Sequence, residues 1–248
     1  MSNKTEQMYI HLLKNCILDN IYGSIVNDPW SKNKDEPATK HQIDNGTFWP
    51  LRAHTMIGIK RMENIEYCIS KVYENNIDGD FIETGVWRGG ACIFMAGLNK
   101  IYNMNRKIYV ADSFTGLPDP DPKYPIDTYY RGEVYDYLKV SEEQVRENFK
   151  RYDLLDDHVI FIKGYFEHSL KGINIDKLSI LRLDGDMYSS TIQVLDELYD
   201  KVSIGGFIIV DDFGGKECKQ AICDFRTSRN ITTPYHIIDD TGMFWQKS

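Results

Sequence analysis

A chain of 248 residues with 42% hydrophobic side chains can bury a sizeable core, which excludes wholesale disorder and suits one α/β domain with an appendage. A net charge of -8, with Lys and Arg dispersed rather than clustered, argues against nucleic acid or anionic membrane as the main partner and points to a small molecule. Cys16, Cys68, Cys92, Cys218 and Cys223 show no C-x-x-C or zinc spacing, and neither a signal peptide nor a membrane-length apolar run is visible, so a cytoplasmic protein with reduced thiols is expected.

In chain order, Tyr9, Leu12, Leu13, Cys16 and Ile17 fall on one helical face, as do Met62, Ile65, Ile69 and Val72. Two helices therefore precede the first strand. Between them, residues 28–50 carry Trp30, Trp49 and three prolines without a clear period, and predict a loop folded over something. Residues 1–76 are thus expected to form a helical extension with a lid loop, and residues 77–248 the main domain.

From about residue 79 short β-branched runs alternate with helical ones. Strands are predicted at 81–85, 107–112, 159–162, 179–183 and 206–210, and helices at about 90–102, 142–152, 190–202 and 216–229, the second opened by Ser141 and Gln144 in capping-box spacing. The alternation implies a parallel sheet with helices on both faces. The tail, 236–239 and 242–246, reads as a hairpin that adds an antiparallel strand.

The first strand runs into Glu83-Thr-Gly-Val-Trp-Arg-Gly-Gly90, where glycines let backbone approach a ligand and a helix N-terminus follows. Its G-x-x-x-G-G spacing is not the G-x-G-x-x-G of a dinucleotide fold and disfavours NAD. The second strand ends in Asp112, where a carboxylate can accept hydrogen bonds from a ribose diol. Glu83 and Asp112 together suit a cationic, ribose-bearing nucleoside such as S-adenosylmethionine. Candidate cofactor contacts are Glu83, Thr84, Gly85, Arg88, Gly89, Gly90, Asp112, Ser113, Gly164, Phe166 and Asp184. The plainer alternative for the glycines is a turn needed only for packing.

Leu181-Arg-Leu-Asp-Gly-Asp186 and Gly206-Phe-Ile-Ile-Val-Asp-Asp212 are two apolar strands ending in carboxylates, with a helical segment between them. As parallel neighbours they would bring Asp184, Asp211 and Asp212 to one end of the sheet, an arrangement that makes best sense around a hard cation such as Mg²⁺. Aspartates at strand ends are commonly helix caps, but three in matched positions favour metal, with Asp186 a turn residue. Mg²⁺ beside S-adenosylmethionine points to O-methylation, the cation acidifying and orienting a hydroxyl. Asp184-Gly-Asp186 also resembles the D-x-D of nucleotide-sugar glycosyltransferases. A catechol-type enzyme would need a lysine where Met187 stands.

The segments 53–62, 82–94, 111–114, 147–149, Leu181–Asp186 and Val210–Phe213 resemble the macrocin O-methyltransferase family of bacterial antibiotic-sugar methyltransferases from about residue 8 onward. The resemblance implies a Rossmann-like class I methyltransferase fold, a mostly parallel seven-stranded sheet with an N-terminal helical extension. It implies S-adenosylmethionine and Mg²⁺ as cofactors, metal roles for Asp184, Asp211 and Asp212, and a general-base role for Asp184. A sugar-bearing natural product or glycan is the expected acceptor, with His54, Thr55, Met56 and Tyr188 as candidate contacts, and a homodimer or higher homo-oligomer the expected state. The Pro- and Tyr-rich loop 114–140 is expected to close over the sugar or to pack on a neighbouring subunit.

Overall fold

The computed structural model describes residues 4–130 and 133–248, so that Met1 to Asn3 of the N-terminus and Arg131 and Gly132 of the 114–140 loop lie outside it. Helix α1 (Lys4–Ile17), α2 (Lys40–Asn45) and α3 (Ile59–Glu74) precede the first strand. Then follow β1 (Asp80–Thr84), α4 (Gly90–Ile101), β2 (Ile108–Asp112), α5 (Glu142–Arg151), β3 (Val159–Lys163), α6 (Phe166–Ser169) and β4 (Leu178–Leu183). The chain ends with α7 (Tyr188–Leu198), β5 (Val202–Val210), α8 (Lys216–Ser228), β6 (His236–Ile237) and β7 (Met243–Gln246).

The strands form one seven-stranded sheet in the order β3-β2-β1-β4-β5-β7-β6. All pairings are parallel except those of β7, which runs antiparallel to both β5 and β6. The strand period of two divides each strand between two cores. Phe81, Ile108, Val110, Ile180, Phe207 and Ile209 face the α1, α3 and α4 side, while Ile82, Ala111, Leu181, Leu183, Ile208 and Val210 face α7 and α8. Helices α1 and α3 pack into the first of these cores through Ile10, Leu13, Ile17, Met62, Ile65, Ile69 and Val72. The sequence of neighbours reverses at β1, which has β2 on one side and β4 on the other; in open α/β sheets that crevice is where ligands bind.

Several expectations need correction. The buried face of α1 is Ile10, Leu13 and Ile17, whereas Tyr9 and Leu12 are exposed, because α1 packs on α4 with Leu13 seated directly against Gly97. The 28–50 stretch is not featureless. It contains α2, opened by a capping box between Thr39 and Gln42, and bridges that pair Ile25 with Pro37 and Val26 with Pro50. The helix expected at 190–202 begins earlier and stops at Leu198; a 3₁₀ turn, Tyr199–Lys201, leads into β5, which is longer than its apolar run because its first residues pair across a register shift with β4.

The start of α7 has no side-chain cap of its own. Asp127, in the 3₁₀ turn Pro125–Tyr129, supplies one from 61 residues away: its carboxylate accepts from Tyr188 N at 2.7 Å and Ser189 N at 2.9 Å. It is fully buried, and it pins the 114–140 loop to the helix dipole's positive end. Asp127→Ala is expected to lower unfolding free energy by about 1–3 kcal/mol, since the part-buried Tyr188 N–H and the buried Ser189 N–H lose their acceptor. Asp127→Asn, which keeps one acceptor oxygen, should cost less. Urea unfolding of the two variants checks the order, and equal, negligible losses would show that the cap carries no stability.

Candidate active site

Register alone assembles the site. Thr84 on β1 aligns with Ala111 on β2 and with Leu183 on β4, and Leu183 aligns with Val210 on β5. The next residue on each strand is Asp112, Gly85, Asp184 or Asp211, so these four stand side by side at the carboxyl edge. Backbone bonds extend the ladder one residue further, from Asp184 N to Thr84 O and from Asp211 N to Leu183 O, both 2.9 Å. Gly85, at φ +89°, lies so close that a Cβ there would collide with the carbonyl oxygen of Asp184. One carboxylate oxygen from each of Asp184, Asp211 and Asp212 lies within 4.8 Å of the others. Asp186, in a left-handed conformation, donates its N–H to Asp212 Oδ2 at 2.9 Å and so acts as a turn residue that holds Asp212.

The carboxylates are not bare, as the sequence pattern suggests. Arg182, the penultimate residue of β4 and 1% exposed, donates Nη1 to Glu83 and to Asp184 Oδ2 (2.7 Å) and Nη2 to Asp211 Oδ1. Arg61 of α3 donates to Asp211 Oδ2. Asp212 has no ammonium or guanidinium partner among the described residues, and negative charge remains in surplus. Burial raises Asp184 to about 6, with repulsion from Asp211 adding to it and Arg182 opposing it. Burial likewise lifts Asp186 to about 7, reinforced by Asp184 and Asp211, and pushes Asp212 well above the carboxylate range, reinforced by Asp186, Asp184 and Asp211. Glu83 rises to about 7 by burial, partly offset by Arg182, and its other oxygen accepts from Cys92 Sγ at 2.8 Å.

A cavity of about 540 Å³ opens over this edge, within the usual range for a small-molecule site. It brings together Glu83, Gly85, Asp112, Ser113, Phe166, Asp184, Asp211 and Asp212, with Thr55 and Met56 at the N-terminal side. Asp112 is preorganised: Oδ2 accepts from Val86 N and Oδ1 from Phe114 N, each at 2.7 Å, while burial pushes its pKa up. The remaining candidates from the sequence do not line this cavity. Thr84 bonds Arg182 O, and Gly164 donates its N–H to Asp112 O. Arg88 donates to Leu51 O and Ala53 O and lies over the Trp87 ring, so it clamps the N-terminal segment. Gly90 N donates to His54 O, which fills the start of α4 where an anion was expected, and Gly89 is the helix cap. The His54 ring meets Tyr152 Oη at 2.7 Å and is held neutral, its pKa lowered to about 4 by burial and then by Arg151 and Arg88. Tyr188 Oη contacts Asp224 on α8.

Arg61, Arg182, Asp127, Trp49 and Tyr135 are parts of the site or its supports that are absent from the candidate site residues drawn from the sequence. Arg182 leaves a signal, a lone charge in an apolar strand buried on both faces, which requires a partner. Arg61 leaves a weaker one, a cation one turn before Ile65 on the face that α3 buries. Trp49 and Tyr135 line the cavity, and Trp49 stacks on Tyr137 at 5.0 Å, joining the 28–50 segment to the 114–140 loop.

The family model described as Macrocin-O-methyltransferase (TylF) matches residues 6–247. The chain is 41% identical to a demethyldecarbamoylnovobiocin O-methyltransferase of Streptomyces niveus, covering 100% of this chain and 96% of that protein. It is 38% identical to an 8-demethyl-8-(2,3-dimethoxy-alpha-L-rhamnosyl)-tetracenomycin-C 4'-O-methyltransferase of Streptomyces olivaceus, covering 99% and 95% of the two chains. The solved structure of the O-methyltransferase NovP superposes with a TM-score of 0.90 over 98% of this chain and 99% of that one, at 41% identity. The fold is therefore that of the class I methyltransferases, and the chain belongs to the macrocin-O-methyltransferase family.

Proposed function

We propose that this S-adenosylmethionine-dependent O-methyltransferase methylates a hydroxyl on the sugar of a natural product or surface glycan, with Mg²⁺ held by Asp184, Asp211 and Asp212 and with Asp184 as base. The observation that carries the reading is that cofactor-type groups on β1 and β2 and the carboxylate cluster on β4 and β5 share one cavity. The donor set fits a hard divalent cation: three carboxylates within reach of one point, with two guanidiniums too few to balance the surrounding acids. When bound, Mg²⁺ would lower the pKa of an acceptor hydroxyl, and S-adenosylmethionine would supply a methyl group already activated on sulfonium.

The chain's own residues do the rest. The preorganised Asp112 and the open turn at Gly85 are suited to hold the nucleoside, and Glu83, pinned by Arg182, adds negative charge for a cationic ligand. Asp184 accepts from Arg182 through Oδ2, and Oδ1 is the atom we assign to take the hydroxyl proton. Trp49, Tyr135 and Leu138 line the cavity and offer apolar surface to an acceptor. The rhamnosyl acceptor in the name of one relative supports a sugar. Exposed Met8, Tyr9 and Leu12 on α1 are apolar surface suited to a homo-oligomer, and no described helix is long and apolar enough to cross a membrane.

Two rival chemistries fit less well. A catechol-type lysine base has no counterpart, because Met187 is fully buried and outside the cavity. A nucleotide-sugar reading of Asp184-Gly-Asp186 must seat a diphosphate in a cavity also lined by Asp119, Asp121 and Glu167, with Arg61 its sole cationic lining residue among those described. Calorimetry with S-adenosylhomocysteine tests the cofactor assignment, and no binding at millimolar concentration would refute it. Transfer of labelled methyl from S-adenosylmethionine to glycoside acceptors tests the reaction.

Asp184→Asn is expected to reduce turnover by about two to four orders of magnitude, through loss of the base and part of the cation site. Binding of S-adenosylhomocysteine should persist, and the stabilisation by added Mg²⁺ seen in thermal melts of the wild type should shrink. An equal gain in both proteins would show that Asp184 holds no cation.

A pH dependence follows from the raised carboxylates. Their folded-state pKa values, about 6 for Asp184 and about 7 for Glu83 and Asp186, lie above the ordinary values of 3.8 and 4.5. The stability they contribute is therefore full below the ordinary values and is lost as pH rises through 6 to 7. His54, lowered from 6.5 to about 4, acts oppositely: its stability is present above 6.5 and lost as pH falls through 4. His54 is common to samples with and without cation and cancels in their difference. The gain in melting temperature from Mg²⁺ over chelator should thus grow from about pH 5 to pH 8, as the cation ceases to compete with protons. A gain that stays flat or declines across that range would contradict the cation assignment.

A further inference from the structure

Arg61 belongs to α3 in the N-terminal extension, yet its guanidinium ends at the carboxylate cluster. Nη1 donates to Asp211 Oδ2, Nε to Asp239 Oδ2 at 2.9 Å, and Nη2 to the carbonyl oxygens of Asn45 at 3.1 Å and Gly46 at 3.2 Å. One buried side chain thus joins the end of α2, the end of β5 and the turn between β6 and β7. Since Asp211 Oδ1 accepts from Arg182, both oxygens of that carboxylate are gripped and its plane is fixed. The backbone is shaped to admit the fork. A Cβ on Gly46, at φ +62°, would collide with the guanidinium and with Gly58 N, and one on Gly242 would meet Arg61 Cδ at 3.0 Å. Gly46, Arg61 and Thr241 all line the cavity.

We infer that Arg61 is a positioning residue that aims Asp211 at the cation and ties it to the cavity wall at Gly46 and to the Asp239 turn, so that cation binding and ordering of residues 45–58 are coupled. The inference rests on the cation reading of Asp184, Asp211 and Asp212 given above. Two effects of Arg61 on a cation have opposite signs. As a neighbouring positive charge it repels Mg²⁺, so if charge were its whole role, Arg61→Gln would bind Mg²⁺ more tightly. As the group that orients a ligand carboxylate, its loss should weaken Mg²⁺ binding by about 10- to 100-fold. Arg61→Lys keeps the charge but lacks the planar fork that serves Asp211, Asp239 and two carbonyls together, so it should weaken binding nearly as much.

The test is calorimetric titration of full-length wild type, Arg61→Gln, Arg61→Lys and Asp239→Asn with MgCl₂, with S-adenosylhomocysteine titrated in parallel and hydrogen exchange of 45–58 followed with and without Mg²⁺. The expected result is weakened Mg²⁺ binding in both Arg61 variants, a smaller loss in Asp239→Asn, retained S-adenosylhomocysteine affinity, and Mg²⁺-dependent protection of 45–58 in the wild type alone. Mg²⁺ affinity in the Arg61 variants equal to or tighter than wild type, or protection that persists in them, would overturn it. If those variants fail to fold, Asp239→Asn decides, since it cuts an anchor of Arg61 without touching Asp211; unchanged affinity and protection there would overturn the coupling. Wild type that binds no Mg²⁺ at all would instead remove the cation reading itself.

Discussion

Everything at the carboxyl edge of this sheet depends on one guanidinium buried in its central strand. Arg182 reaches Glu83 on β1, Asp184 at the end of its own strand and Asp211 at the end of β5. A buried carboxylate left without a partner costs several kcal/mol, so three of them at adjacent strand ends would oppose the pairing of those strands. With Arg182 in place they are hydrogen-bonded and oriented before any ligand arrives. The arrangement is weak evidence for stability as such, because an apolar replacement of the whole group could pack as well. Its value is geometric, holding acids in a chosen orientation where a purely apolar edge would offer nothing to bind.

The β1 and β2 side of the cavity and its carboxylate end on β4 and β5 are joined by contact as well as by register. Gly85 abuts the Asp184 carbonyl, and no side chain separates β1 from β4 at that level. Val86 and Phe114 direct their N–H groups at Asp112, so the turn after β1 and the turn after β2 are locked to one carboxylate. Two parts of the chain then close the space: the 28–50 segment through Trp49, and the 114–140 loop through Tyr137, joined where their rings stack. Asp127 holds the second of these against α7. The two segments are therefore tied to each other and, through Asp127, to the start of α7.

The sheet and its strand-end acids were legible in the sequence because a parallel strand buried on both faces must read as an unbroken apolar run, and a carboxylate at its end breaks the run visibly. The hairpin tail was legible for the same reason. What the pattern could not give was pairing across long separations. Arg61 meets Asp211 across 150 residues and Asp127 caps a helix across 61, and neither leaves a local period. The glycines of the Glu83–Gly90 turn divide their work: Gly85 lines the cavity, Gly89 admits Val145 and Phe149 of α5, and Gly90 admits the His54 backbone against the start of α4. Arg88, from the same motif, was expected at the cofactor and instead braces the N-terminal segment. On α1 helical periodicity found the helix but not its buried face, since the apolar residues run more than halfway round and only contact with α4 selects among them.

The imbalance of charge at the site explains why the acids are arranged so unevenly. Asp211 is gripped on both oxygens, Asp184 on one, and Asp212 only by the Asp186 backbone. In the proposed cation site, matching every acid with an arginine would leave no surplus negative charge to attract a cation. If none were matched, the strand ends would repel one another. Graded pairing meets both demands, with the most buried acid fixed and the outermost left in surplus. Burial first, and then that surplus, raises the proton affinity of Asp184 and Asp186, so these two acids take up protons at a higher pH than ordinary carboxylates do. Stability withheld at the strand ends is supplied elsewhere, by the two apolar cores that the sheet divides between its faces.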